Sequence, residues 1–153
     1  MNLFLGVIII IVSTVAGLWF SNKYRERKDF FVAFSDFNSR LKNEVLFSQN
    51  TVNKIISDFS DKPLFYENIN DVLIKKKEYK NLKFLSDDEN NFFSEYILKI
   101  GKNDKSTETM LLTEAEKTIS EKMKTANLES EKYKKAYLKI GFLFGLMLMI
   151  ALL

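Results

Sequence analysis

Residues 24–47 read YRERKDFFVAFSDFNSRLKNEVLF. Phe30, Phe34, Phe37, Leu41 and Val45 follow one another at spacings of four, three, four and four. That period places them on one face of a helix, and Phe31 and Phe47 widen the stripe. Beyond Phe34, charged and other polar side chains fill the positions between them, so the opposite face is solvated. A strand would need apolar residues at every second position, and none of this stretch alternates in that way. The spacing predicts an amphipathic helix over Tyr24–Phe47 that must bury an aromatic face against other elements.

Towards the N-terminus the character changes abruptly. Met1–Asn22 contains no charge, and Leu3–Phe20 reads LFLGVIIIIVSTVAGLWF. At 1.5 Å per residue such a helix covers roughly 27 Å, close to the hydrocarbon thickness of a bilayer. Ser13 and Thr14 are tolerable within it, because each hydroxyl can bond a carbonyl one turn back. Trp19 and Tyr24 fall where an interfacial aromatic belt would lie. A secretory signal would carry its basic residues before the apolar run and a small-residue cleavage site after it. Here Lys23, Arg25, Arg27 and Lys28 all follow the run, which favours an uncleaved anchor.

Towards the C-terminus, Thr51–Phe59 reads as a short helix capped by Thr51, with Val52, Ile55, Ile56 and Phe59 inward. Asp61-Lys62-Pro63 breaks it, since proline disfavours helix in the residue before it. A further helix is expected over Leu64–Lys75, burying Phe65, Ile69, Val72 and Leu73. Lys75, Lys76, Lys77, Lys80 and Lys83 form a basic run, read as a solvated face with contact to anionic lipid or an acidic partner as the sharper alternative. Ser86-Asp87-Asp88-Glu89 has capping-box spacing, and its carboxylates suit the positive end of a helix dipole. The helix it starts carries Phe92, Phe93, Tyr96, Ile97 and Ile100, and Gly101 ends it in the left-handed conformation. After a polar loop at Lys102–Thr107 comes a long helix, striped by Leu112, Ala115, Ile119, Met123, Ala126, Tyr133 and Tyr137. No breaker precedes Gly141, so it is expected to continue unbroken into the last segment.

That last segment, IGFLFGLMLMIALL (140–153), is again free of charge. Fourteen residues fall short of a span, but Ala136, Tyr137 and Leu138 lengthen it and Lys139 can snorkel. Lys132, Lys134, Lys135 and Lys139 flank it on its inner side, as Lys23–Lys28 flank the first. The positive-inside rule then puts the central section in the cytoplasm and both termini outside. Gly141 and Gly145 form a GxxxG pair, which lets membrane helices approach closely. Two readings stand for it: packing against the first span of the same chain, or docking to another subunit.

The 153 residues contain no histidine, no cysteine, five glycines and one proline. This excludes zinc fingers, disulfide frameworks, Cys–His dyads and Ser–His–Asp triads. Neither GxxxxGK[ST] nor GxGxxG occurs, so no phosphate-cradling loop is present. A net charge of +3 without basic-aromatic interleaving gives no ground for nucleic-acid binding. Asp87, Asp88 and Glu89 form the one tight acidic cluster. Three adjacent acids on a helical turn point in different directions, so a helix cap explains them better than a metal or catalytic site. No cofactor, metal, small-molecule substrate or catalytic residue is expected.

The order of features resembles the stage III sporulation protein AB family. The resemblance rests on the N-terminal span followed by Arg25-Glu26-Arg27, on Glu44-Val45-x-Phe47-x-x-x-Thr51, and on Ser86-Asp87. Its most specific part is Lys135-x-Tyr137-x-x-x-Gly141-x-Leu143-x-Gly145-Leu146. Val52-Asn53 replace the Pro-Leu usual after the threonine. Phe84 or Leu85 stands for a usual glycine, and Asn91 for a usual glutamine. The resemblance implies a cytoplasmic domain similar to the helical domain of type II secretion and type IV pilus platform proteins. It implies a place in the mother cell–forespore channel complex of a spore-forming bacterium, in the outer forespore membrane on the mother-cell side. The partners it implies are the complex's ATPase, stage III sporulation protein AA, and the other membrane subunits. Glu44 and Asp87 are the matched polar residues expected to meet a partner.

The expectation is therefore an all-α chain: an N-terminal transmembrane helix (1–22), a cytoplasmic antiparallel bundle of about six helices (23–135) and a C-terminal transmembrane helix (136–153). Its function is that of a non-enzymatic platform subunit held in a lipid bilayer. The alternative is a membrane-anchored helical regulator or sensor that binds a soluble partner and has no part in secretion.

Overall fold

The computed structural model describes residues 3–47 and 52–151. Among these residues the regular structure is entirely helical: α1 Leu3–Phe20, α2 Asn22–Phe47, α3 Val52–Ser57, α4 Pro63–Leu73, α5 Asp87–Lys99 and α6 Lys105–Ala151. Thr51, the expected cap of α3, lies outside the described residues, as does the side chain of Phe47. The bundle of about six helices between two further ones is thus reduced, among the described residues, to six helices in all. The count falls because α6 runs without a break for 47 residues and takes in the segment assigned to a separate C-terminal helix. The chain divides into two compact units, Arg27–Thr125 and the pair Met1–Glu26 with Ala126–Leu153.

In the Arg27–Thr125 unit the predicted aromatic face of α2 is the core. Phe30, Phe31, Ala33, Phe34, Phe37 and Leu41 are all buried, whereas Val45 is half-buried. Their partners are Ile55, Ile56 and Phe59 around α3, Phe65 and Ile69 on α4, Phe93, Tyr96 and Ile97 on α5, and Leu112, Ala115 and Ile119 on α6. Phe30 and Phe34 meet Phe93 edge-to-face at 4.8 and 5.0 Å between centroids, and Phe34 meets Tyr96 in the same way at 4.8 Å. Phe65 closes the cluster against Phe30 and Phe37 at 5.6 and 5.5 Å. Edge-to-face pairing sets a ring's positive edge on its neighbour's negative face, adding about 0.5–1.5 kcal/mol per pair to the area buried.

The buried polar groups of this core satisfy one another. Tyr96 donates its hydroxyl to Asn38 Oδ1 at 2.9 Å, and Asn38 Nδ2 donates to the Leu112 carbonyl at 3.0 Å. These two bonds tie α2, α5 and α6 together. Burial pushes the Tyr96 phenol well above its ordinary range, so it stays a donor.

Helix ends follow local chemistry, with three departures from expectation. α3 stops at Ser57 because the chain tightens into three-residue turns, Phe59 N–H to Ile56 O and Lys62 N–H to Phe59 O; Phe59 is buried all the same. α4 starts on Pro63, whose missing N–H costs nothing in the first turn. It ends at Leu73, short of Lys75, because the Ile74 and Lys75 amides both turn back to the Asn70 carbonyl, and Lys76 takes a left-handed φ of 54°. The third departure is in the expected loop Lys102–Thr107, where α6 already begins at Lys105. Asp104 is the reason: its carboxylate accepts from the Ser106 and Thr107 amides at 3.1 and 3.4 Å. The Thr107 hydroxyl and these amides hold the Asp104 carboxyl below its ordinary value.

Gly101 does terminate α5, with φ 73°. Its amide donates to Glu108 Oε1 at 2.9 Å while Asn103 Nδ2 donates to Glu108 Oε2 at 3.1 Å, so one buried carboxylate clamps the α5–α6 turn. α5 and α6 are antiparallel, as a tight hairpin requires. α2 and α5 are not: Arg27 meets Glu89, Phe30 meets Phe93 and Asn38 meets Tyr96, so both numbers rise together and the two helices run the same way. The intervening short helices α3 and α4 allow this by returning the chain to the end where α2 began. The wholly antiparallel arrangement is corrected to that extent.

Candidate functional site

In the unit formed by Met1–Glu26 and Ala126–Leu153, α1 packs against the end of α6 along small residues. A methyl group added at Gly141 would lie 2.7 Å from the Ser13 carbonyl oxygen, and one at Gly145 would lie 2.8 Å from Ile10 Cα. Both glycines of the GxxxG pair therefore face α1 of the same chain, with backbone against backbone. Gly17 is tighter still, its added carbon falling 2.5 Å from the Tyr137 carbonyl oxygen, and Gly6 abuts the Met149 side chain. Sequence reasoning did not single out Gly6 or Gly17. The signal was present: Gly6, Ser13 and Gly17 are spaced seven and four apart, which aligns them on one helical face.

The two hydroxyls of α1 behave differently. Thr14 donates to the Ile10 carbonyl one turn back at 2.7 Å, as expected. Ser13 does not follow it. Its hydroxyl crosses to the Gly141 carbonyl at 2.7 Å. The exchange is possible because Gly141 has no side chain to keep the backbones apart. Away from this seam the unit turns apolar side chains outward, including Ile11, Val12 and Val15 on α1 and Leu143, Met147 and Ile150 on α6. One helical stretch, beginning at Gly6, is long and apolar enough to cross a membrane by length and composition.

At the polar end of the seam, Tyr24 stacks on Tyr133 with centroids 4.0 Å apart and planes at 17°, and Tyr137 lies 6.4 Å from Tyr24. Trp19 is 72% exposed.

In the Arg27–Thr125 unit, the expected capping box of α5 is complete. Ser86 Oγ accepts from the Glu89 amide at 3.3 Å, and Glu89 Oε2 accepts from the Ser86 amide at 3.0 Å. Glu89 has a second role that the local pattern did not announce. Its carboxylate receives Arg27 Nη2 at 2.7 Å and Nε at 3.1 Å, and it is buried. Burial works to raise its pKa, but the Arg27 guanidinium and the Ser86 amide outweigh that and hold the carboxyl below its ordinary value. Asp87 and Asp88 sit exposed beside it in the first turn. Among the described residues no group of three or more acidic side chains could hold a metal ion.

Next to the cap, Asn90 organises the connection from α4. Its Oδ1 accepts from the Tyr79 hydroxyl at 2.6 Å and the Leu82 amide at 2.8 Å. Its Nδ2 donates to the carbonyls of Leu82, Leu85 and Ser86 at 3.0–3.3 Å. Burial pushes the Tyr79 phenol up to about 12. The basic run on this connection is exposed throughout, as expected, and Lys75 and Lys77 both reach Asp71, at 2.8 and 2.9 Å.

The structure does not bring Glu44 and Asp87 together. Asp87 lies near the Arg27 end of α2, and Glu44 is 17 residues further along that helix, roughly 25 Å away. Glu44 is half-buried.

No curated protein and no solved structure matches the chain. One family does: the description "Stage III sporulation protein AB" matches residues 64–153, which takes in α4 from its second residue, the Asn90-pinned connection, the α5 cap and all of α6 with both seam glycines. On that match, over more than half its length, the chain belongs to the stage III sporulation protein AB family.

Proposed function

We propose that this protein is a non-enzymatic, double-pass platform subunit of the channel complex between mother cell and forespore. Membership of the family points to a role in sporulation, and that observation carries the proposal. The finer reading draws support from the seam of α1 and α6. Two uncharged segments, α1 and the end of α6 beyond Lys139, joined backbone to backbone with apolar side chains turned outward, suit a hairpin crossing the bilayer. The basic residues at its one charged end suit a cytoplasmic section and outward termini.

On this reading the helical section is the surface offered to the complex's ATPase, stage III sporulation protein AA. The exposed Asp87 and the half-buried Glu44 would act at separate places, since Asp87, on α5, lies beside the Arg27 end of α2 and Glu44 lies towards its other end. The test is co-purification of the full-length chain with that ATPase from membranes of sporulating cells. Retention of the ATPase on the wild-type chain, lost with Asp87→Lys or Glu44→Lys, supports the reading. A full-length chain that never retains the ATPase sinks the coupling.

A further inference from the structure

The seam unit carries six exposed cations just beyond its uncharged ends: Lys23, Arg25, Lys132, Lys134, Lys135 and Lys139. Three carboxylates share these segments, Glu26, Glu129 and Glu131, and Glu26 is engaged by the Asn22 amide at 3.1 Å. None of the six cations takes part in an ion pair among the described residues. All six stand together at the one charged end of the hairpin.

The stacked rings of Tyr24 and Tyr133 fix the two helices at this level. They also hold two of the cations: Lys23 Nζ lies 5.6 Å from the Tyr24 centroid, and Lys132 Nζ lies 5.9 Å from that of Tyr133. Residues 22–25 and 132–135 are thus a joined collar, presented by two helices at one height, directly below the apolar exterior.

We propose that this collar selects anionic phospholipid headgroups, gathering phosphatidylglycerol-type lipids around the hairpin in preference to zwitterionic ones. The inference rests on the bilayer-spanning reading above. Lipid is the occupant because the collar continues straight into outward-facing apolar side chains. A molecule filling both must have an anionic head joined to an apolar body. An acidic protein surface would satisfy the lysines but leave Val15, Leu143 and Met147 uncovered.

Trp19, the single tryptophan, is exposed four residues from Lys23 and serves as the probe. The full-length chain is reconstituted in mixed vesicles of phosphatidylcholine and phosphatidylglycerol, with one or the other lipid dibrominated to quench Trp19. Anionic lipid should associate about threefold more strongly than zwitterionic lipid, and the preference should weaken as salt rises. A chain with Lys132, Lys134, Lys135 and Lys139 all changed to Gln should fall towards parity while keeping its helical circular dichroism. Equal quenching by the two lipids in the wild-type chain overturns the collar while leaving the membrane placement intact. No quenching by either overturns the membrane placement, and the collar with it.

Discussion

Ser13 donates its hydroxyl to the backbone carbonyl of Gly141, 128 positions away, at 2.7 Å. The bond exists only because Gly141 and Gly145 let the backbones of α1 and α6 close to contact. Replacing Gly141 by Leu forces a side chain into the Ser13 carbonyl and should cost about 1–3 kcal/mol. Thermal unfolding in detergent micelles measures it, and Gly17→Leu should cost at least as much. Ser13→Ala should cost only about 0.6 kcal/mol, since with the helices apart the serine hydroxyl can bond an intrahelical carbonyl instead, so little is gained by the bond across the seam.

Arg27→Ala strands a buried carboxylate and should destabilise the Arg27–Thr125 unit by about 2–3 kcal/mol. Chemical denaturation at neutral pH tests this. Glu89→Gln should cost less, because the amide can still accept from the Ser86 amide and requires no counter-charge.

The same pair gives a pH dependence of known sign. Glu89 is held below its ordinary pKa, so the native state binds that proton less readily than the unfolded chain, whose glutamate titrates near about 4.3. Its contribution is complete above the unfolded value and disappears as pH falls through the lowered folded one. Denaturation midpoints of wild type and Arg27→Ala should therefore converge below about pH 4 and diverge above it.

Asn90→Ala removes five hydrogen bonds from the connection between α4 and α5. The expected result is faster trypsin cleavage after Lys80 and Lys83, and loss of exchange protection at the Leu82 amide. Asp71→Ala, by contrast, breaks two exposed ion pairs and should alter stability by less than about 1 kcal/mol.

Gly101→Ala places a methyl group at φ 73°, where L-residues are strained, and should cost about 1 kcal/mol in denaturant titrations. The nearest foreign atom is 3.7 Å away, so the cost is one of backbone conformation and not of crowding.

Features written in short-range spacing were legible from the sequence. The phenylalanine face of α2 is a period, the Ser86–Glu89 box is a four-residue motif, and the Gly101 stop is a single residue with one reason to be there. Asp104 escaped because a lone aspartate in a polar stretch is as good a loop residue as a cap. Arg27 and Glu89, or Asn38, Tyr96 and Leu112, escaped for a different reason. Such pairings join positions 58–74 apart, and no residue alone announces its partner. The parallel run of α2 and α5 also lies beyond local reading, since it depends on how the short helices between them turn. For Gly141 and Gly145 the motif showed that something comes close. It could not show which helix.

The orientation of those glycines has a consequence for assembly. Because Gly141 and Gly145 are spent on α1, any helix that docked on α6 from outside the chain would meet its bulky sides, at Leu143, Met147 and Ile150. Contacts there would be of the interdigitating kind, tolerant of Leu, Ile and Met exchange, and reversible at lower cost than a glycine seam. The hairpin is therefore a finished part before it meets any other: one chain supplies both halves of its tightest joint, and recruitment into a larger body needs no rearrangement within it.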